Sequence, residues 1–325
     1  MNRPLLKIEN LKVSFYTDHG VVRAVDQVSW ELEENGSLGV IGESGCGKSV
    51  SALSVLRLIP DPPGKIEAGK ILYNGRDILQ MSEKEVCRLR GTEISMVFQD
   101  PVSSLNPSFT IGNQILETLR LRQGLSGSEA REKARSLLNA VGIPAPEQRM
   151  KEYPHQLSGG MNQLVMIAMA LACGPRVLIA DEPTTALDVT IQAQILNLFR
   201  SIKERLKMSI ILITHDLGLV SQLVDRVIVM YAGKIVEQGL LNEIFQNPHH
   251  PYTKGLFSAI PRLKKKNVGK KEKLPEIPGV VPNLIDPTYE CIFFPRCKYR
   301  MDKCKTTEPP LKVLGDRHTS KCWLE

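Results

Sequence analysis

Apolar residues fall in short blocks separated by polar and glycine-rich punctuation. The runs Ser37-Leu38-Gly39-Val40-Ile41, Ile94-Ser95-Met96-Val97-Phe98, 177–180 and Ser209-Ile210-Ile211-Leu212-Ile213-Thr214 have strand length and read as buried strands. Residues 51–58 predict a helix after the first of them, and residues 161–173 predict another. The ten apolar residues from 164 to 173 are too few to span a bilayer, so that helix belongs to a core. With no signal peptide and no 18-residue apolar stretch in the sequence, a cytoplasmic chain is expected.

The chemistry sits where these blocks end. Gly42-Glu43-Ser44-Gly45-Cys46-Gly47-Lys48-Ser49 fits the phosphate-binding pattern G-x-x-x-x-G-K-S/T, between a strand and a helix as the motif requires. Gly42, Gly45 and Gly47 let the backbone aim N–H groups at phosphate oxygens. Lys48 is expected to reach the β- and γ-phosphates, and the Ser49 hydroxyl to ligate Mg²⁺. Cys46 reads as a small filler.

The run 177–180 delivers Asp181 and Glu182 to a strand's carboxyl end, the edge at which open α/β sheets bind ligands. Asp181 is expected to hold Mg²⁺ or its water shell, and Glu182 to orient and polarise the attacking water. Phosphoryl transfer asks mainly for such positioning and charge neutralisation. His215 follows the strand 209–214 and reads as a γ-phosphate contact. Gln99 follows the run 94–98 and could reach a metal-bound water. Leu157-Ser158-Gly159-Gly160 heads the helix at 161–173. An N-cap serine followed by bare glycines exposes N–H groups at the positive end of a helix dipole, which suits a phosphate.

The order of these segments resembles the ATP-binding subunits of ABC transporters: phosphate loop 42–49, Gln99, signature 157–160, Asp181-Glu182, Ala186-Leu187-Asp188 and His215. The resemblance implies a RecA-like α/β P-loop ATPase core. It adds an antiparallel β-subdomain near the N-terminus and a helical subdomain over about 101–172. It also implies two ATPs sandwiched head to tail in a dimer. One ATP would meet Lys48, Ser49, Gln99, Asp181, Glu182 and His215, with Ser49, Gln99 and Asp181 around Mg²⁺. Further nucleotide contacts are implied for Gly42, Ser44, Gly45, Cys46, Gly47, Val50 and Asp188. Ser158, Gly159 and Gly160 would face the partner's ATP. The adenine-stacking aromatic is expected at Phe15 or Tyr16, with Phe15 preferred by its distance from Ala24.

Phe98-Gln99-Asp100-Pro101, the stretch 180–190, His250-Pro251-Tyr252-Thr253-Lys254-Gly255-Leu256 and Ile277-Pro278-Gly279 narrow the resemblance to the oligopeptide, dipeptide and nickel importer group. Asn162 and Leu164 depart from that group, which usually has arginine at both positions, while Gln163 remains. ATP hydrolysis is still expected, because neither position is the catalytic acid or the phosphate lysine. The departure bears on the helix's ion pairing and its coupling to nucleotide state.

The 325 residues allow roughly two domains at the usual 100–200 residues each. They are expected as an ATPase domain over 1–262 and a Cys-rich domain over 277–325, joined by a linker at 263–276. Residues 263–273 hold six lysines against one glutamate and supply most of the formal net charge of +7. Such a run reads as a solvated linker, with anionic lipid headgroups as a milder option. No aromatic-interleaved basic groove accompanies it, so no nucleic-acid partner is expected.

Four of the seven cysteines, Cys291, Cys297, Cys304 and Cys322, crowd the last 35 residues in the spacing C-x5-C-x6-C-x17-C. An ATP-using chain works in a reducing cytosol, where disulfides are rare, so a metal site is expected. Spacing alone fits Zn²⁺ or an iron–sulfur cluster. The tail resembles that of dipeptide-importer ATPases, which implies a 4Fe–4S cluster with a structural role, Zn²⁺ being the alternative.

The resemblance implies a transport motor at the cytoplasmic face of a prokaryotic cell membrane. Its partners would be a second, homologous ATPase subunit, two transmembrane permease subunits and an extracytoplasmic peptide-binding protein. A nickel importer ATPase is the nearest alternative. A soluble ABC protein acting in translation or DNA repair is a further one. Such proteins usually carry tandem cassettes or inserts, and this chain has one uninterrupted cassette.

Overall fold

The computed structural model describes residues 3–185, 187–259, 276–282, 284–285 and 290–325. Ala186, the 262/263 boundary and the linker expected at 263–276, apart from Glu276, lie outside them. The chain forms two compact units.

One unit combines Met1–Glu31, Leu38–Leu79 and Thr214–Glu325. It contains an antiparallel sheet in the order Gly20–Leu32, Leu6–Thr17, Gly64–Tyr73, Arg76–Asp77. Along Leu6–Thr17 the side chains Leu6, Ile8, Leu11 and Val13 are buried while Lys7, Glu9 and Lys12 are more exposed, close to the period of a strand with one covered face. The register shifts between Glu9 and Lys12, next to Asn10 at φ 47°, so the strand changes twist there. This is the antiparallel β-subdomain that the sequence resemblance implied.

The same unit holds the strand order Leu311–Val313, Thr319–Lys321, Lys234–Leu240, Arg226–Tyr231, Ser37–Ile41. The last two run parallel and the others antiparallel. The Cys-rich tail contributes two strands to this sheet. Its strand Thr319–Lys321 pairs with Lys234–Leu240, placing Ser320 opposite Glu237. A tail this short has too little core to fold on its own, and this pairing supplies part of one.

The other unit combines Leu32–Ser37 and Gln80–Ile213. Ile94–Val97, Val177–Asp181 and Ser209–Thr214 run parallel with Val177–Asp181 central, and every residue in them is buried. That explains why they read as unbroken apolar runs rather than alternating ones. Helices Ile111–Gln123, Gly127–Ala140 and Gly159–Leu171 belong to the same unit. Thr110 caps the first by accepting from Asn113 N, and Gly124 at φ 69° ends it. The helix expected at 161–173 begins and ends two residues earlier. Ser158 caps it, so both glycines lie inside its first turn. The helix expected at 51–58 is Lys48–Val55, because Gly47 at φ 95° starts it directly after the loop. No helix among the described residues is long and apolar enough to cross a membrane.

Candidate functional site

The phosphate loop leaves the buried strand Ser37–Ile41 at Gly42. Gly42 (φ 152°) and Gly47 (φ 95°) are required on two counts. Their backbone lies in the region that favours glycine, and a Cβ would come 2.2 Å from Met230 O and from Ala24 O respectively. Gly45, at φ 78°, faces open space, so a ligand can approach its backbone. Gly233 N donates to Cys46 O at 3.0 Å, fixing the loop's far side.

Lys48 is only 4% exposed, and its Nζ donates to Gly42 O at 2.8 Å and Glu43 O at 2.9 Å. The ammonium is folded into the hollow of its own loop. Charged phosphate oxygens are stronger acceptors than neutral carbonyls, so the loop fits a triphosphate. Ser44 and Gly45 are exposed, Ser49 and Val50 are half-buried, and Cys46 is buried with its thiol pushed up by desolvation. The filler reading of Cys46 agrees with that burial.

In the other unit, Asp181 ends its strand buried, and Glu182 follows at φ 46°. A left-handed backbone at a non-glycine residue costs about 1–2 kcal/mol. Glu182 is held there by its N–H, which donates to Ile213 O at 2.8 Å. Gln99 Nε2 donates to Glu182 Oε2 at 3.2 Å, and Thr185 Oγ1 donates to the same oxygen at 2.9 Å. The structure thus brings two of the expected residues together and adds Thr185. His215 is exposed and directly follows the strand Ser209–Thr214.

Ser158 Oγ accepts from Met161 N at 3.3 Å, the cap expected from sequence, and a Cβ on Gly159 would meet nothing within 4 Å. Gly160 instead packs on Ile191. Asp188 Oδ1 accepts from Ile191 N at 2.9 Å and caps the helix Val189–Leu206. Leu164 is buried in the core, and Asn162 Nδ2 donates to Pro154 O at 2.9 Å. The positions that depart from the importer pattern are thus an apolar core contact and a local tie. Asn162 Oδ1 and Gln163 Nε2 are buried without hydrogen-bond partners.

Of the two candidate aromatics, Phe15 is half-buried opposite Gly64, where a Cβ would come 2.8 Å from its ring. Tyr16 is 51% exposed, and its hydroxyl donates to Glu67.

Cys291, Cys297, Cys304 and Cys322 all line one hollow, together with Phe293, Phe294 and Trp323. All four are free thiols. Burial pushes Cys291 up to about 12, and the charges of Cys304, Cys297 and Cys322 add to the rise. Cys297 and Cys322 are raised for the same reasons, burial first. Thiols that raise one another in this way become a strong ligand set once a cation offsets the charge of their thiolates. Among the described residues, no three or more His, Cys, Asp or Glu side chains form a group that could hold a metal ion.

No sequence motif marks what fastens the phosphate loop. Glu43 N donates to Tyr252 Oη at 2.9 Å. Arg296 donates through Nη1 to Glu43 Oε2 at 2.6 Å and through Nη2 to Oε1 at 3.0 Å. Arg296 also donates to Pro278 O, Ile277 O and Tyr231 Oη. Tyr231, Tyr252 and Phe293 pack together with ring centroids 4.6–5.5 Å apart. The only signal was the His250-Pro251-Tyr252 and Ile277-Pro278-Gly279 segments, read as marks of resemblance without a role.

A glycine cradle around a buried lysine, with a separate strand presenting Asp-Glu, defines the nucleotide-hydrolysing cassette class. The ABC transporter family matches residues 25–185, and the oligopeptide/dipeptide transporter C-terminal region matches residues 236–304. The chain is 49% identical over 318 residues to the dipeptide transport ATP-binding protein DppD of Escherichia coli (strain K12), covering 98% of this chain and 96% of that protein. It is 48% identical over 320 residues to the oligopeptide transport ATP-binding protein OppD of Bacillus subtilis (strain 168), covering 98% and 88%. The dimeric post-hydrolysis structure of the ATP-binding cassette MJ0796 bound to ADP and Pi matches with a TM-score of 0.66 at 26% identity. It covers 73% of this chain and 98% of that one. This chain belongs to the family of ATP-binding proteins of oligopeptide and dipeptide ABC transporters.

Proposed function

We propose that the chain is the ATP-hydrolysing subunit of an importer for dipeptides and oligopeptides, working at the cytoplasmic face of a prokaryotic cell membrane. The observation that carries this reading is the likeness to peptide-transport ATP-binding proteins over nearly the whole chain, C-terminal region included. A second, homologous ATPase subunit, two permease subunits and an extracytoplasmic peptide-binding protein complete the assembly.

In this reading Lys48 exchanges Gly42 O and Glu43 O for the β- and γ-phosphates, and the N–H groups of residues 44–50 surround them. Ser49, Gln99 and Asp181 are the groups that would hold Mg²⁺, which when bound neutralises phosphate charge. Glu182 takes the proton side of the attacking water, aimed by Gln99 and Thr185. His215 contacts the γ-phosphate. Phe15 or Tyr16 stacks on adenine. Ser158, Gly159 and Gly160 serve the partner's nucleotide, and Asp188 orders the helix that follows.

The domain division proposed is 1–262 and 277–325 with a basic linker between. Cys291, Cys297, Cys304 and Cys322 would hold a 4Fe–4S cluster, which when bound ties the tail's turns together. Zn²⁺ is the alternative occupant.

The test is hydrolysis by the full complex in lipid vesicles. Stimulation of ATP turnover by peptide-loaded binding protein supports the reading. Stimulation by Ni²⁺ in place of peptide identifies a nickel importer. Recovery of the chain with ribosomes or DNA instead of membrane subunits would discard transport.

A further inference from the structure

We propose that Arg296 is a positioning residue of the nucleotide site: it cancels the charge of Glu43 and fixes the phosphate loop from the C-terminal tail. This rests on the reading of 42–49 as the ATP-binding loop.

Glu43 is the second residue of that loop, one peptide from the glycine whose carbonyl holds Lys48. A carboxylate there is a liability. It stands beside the place where a triphosphate must settle, and like charges at short range repel. Arg296 answers it with two parallel N–H···O bonds, the fork geometry in which guanidinium matches carboxylate. The Arg296 side chain is 5% exposed and the Glu43 side chain 28%. The pair is thus shielded on the arginine side, where screening by solvent is weak.

The guanidinium cannot swing away easily. Its Nε donates to Pro278 O at 2.9 Å and its Nη2 to Ile277 O at 3.2 Å, so three acceptor groups besides Glu43 fix its plane once Tyr231 Oη is counted. Tyr252 holds the same loop residue by its backbone, accepting from Glu43 N. Main chain and side chain of one loop position are therefore tied to residues 209 and 253 positions further along the chain, respectively. Such a clamp has little reason to be built onto a surface turn. It makes sense on a loop whose backbone N–H groups must be aimed before the ligand arrives.

The experiment measures equilibrium binding of MgATP to the full chain by calorimetry, in an E182Q background so that turnover does not intrude. R296Q is expected to weaken binding by about tenfold, and in an E43Q background the same change is expected to cost less than about twofold. R296K supplies a point charge that cannot form both bonds, and is expected to fall between the two. It serves where R296Q lowers the yield of folded protein. An equal loss with and without Glu43 would overturn the proposal, since Arg296 would then act only by folding the tail. Unchanged affinity in R296Q would overturn it too. Failure of the parent chain to bind ATP, or binding undiminished by K48A, would instead bring down the reading of the loop and the proposal with it.

Discussion

Gln99 and Glu182 are joined by a hydrogen bond of 3.2 Å across 83 positions of sequence, amide donor to carboxylate oxygen. Thr185 donates to that same oxygen. Two donors on one oxygen fix the direction of the Glu182 carboxylate.

Glu182→Gln keeps an acceptor for both donors and removes the base. ATP affinity is expected to stay within about twofold while turnover falls by about a hundredfold or more. Single-turnover hydrolysis alongside calorimetric binding checks this. Turnover near that of the parent would take the base role from Glu182.

Lys48→Ala removes the only ammonium inside the loop's hollow. Its two carbonyl acceptors, Gly42 O and Glu43 O, would be left to water. Affinity for MgATP is expected to fall roughly ten- to hundredfold, the worth of charge-assisted bonds. A titration with a fluorescent ATP analogue reads the loss directly.

His250 is buried, and its Nδ1 accepts from Tyr252 N at 3.1 Å, which requires the neutral ring. Burial first, then the charges of His249 and Lys254, depress its pKa from 6.5 to about 3. The unfolded chain therefore binds the proton more readily than the folded one. The resulting stability is fully present above pH 6.5 and is lost as pH falls toward 3. Thermal denaturation across that window should show a falling midpoint. His250→Asn, which keeps a capping oxygen and has no titration, should flatten the acid limb.

Replacing Cys291, Cys297, Cys304 and Cys322 by serine is expected to abolish bound iron and sulfide and to loosen the tail. Anaerobic purification should give about four iron and four sulfide per parent chain. One zinc without sulfide would make the hollow a zinc site. A metal-free tail that stays folded would end the cluster reading.

Much of the fold was legible because its central strands are short and wholly apolar. Ile94–Val97, Val177–Asp181 and Ser209–Thr214 are buried on both faces, and such runs announce themselves without alternation. The loop 42–49 was legible because glycine is forced at Gly42 and Gly47 by backbone contacts. Helix starts were misplaced by two or three residues, since glycines read as loop served as cap or first turn. Thr185, Tyr252 and Arg296 were not legible. Their roles depend on who stands opposite, and a pair 253 positions apart leaves no local pattern. Asp188 looked like a nucleotide residue and is also an ordinary helix cap, two roles that one aspartate can fill.

The unit that carries the phosphate loop is assembled from Met1–Glu31, Leu38–Leu79 and Thr214–Glu325, with the other unit's Gln80–Ile213 spelled out between. A ribosome therefore delivers the loop early and its framework late. Strand Ser37–Ile41 waits for Arg226–Tyr231 to lie beside it, and Glu43 waits for Arg296, 253 positions later. A nascent or prematurely released chain carries the nucleotide motif without the parts that hold it in shape.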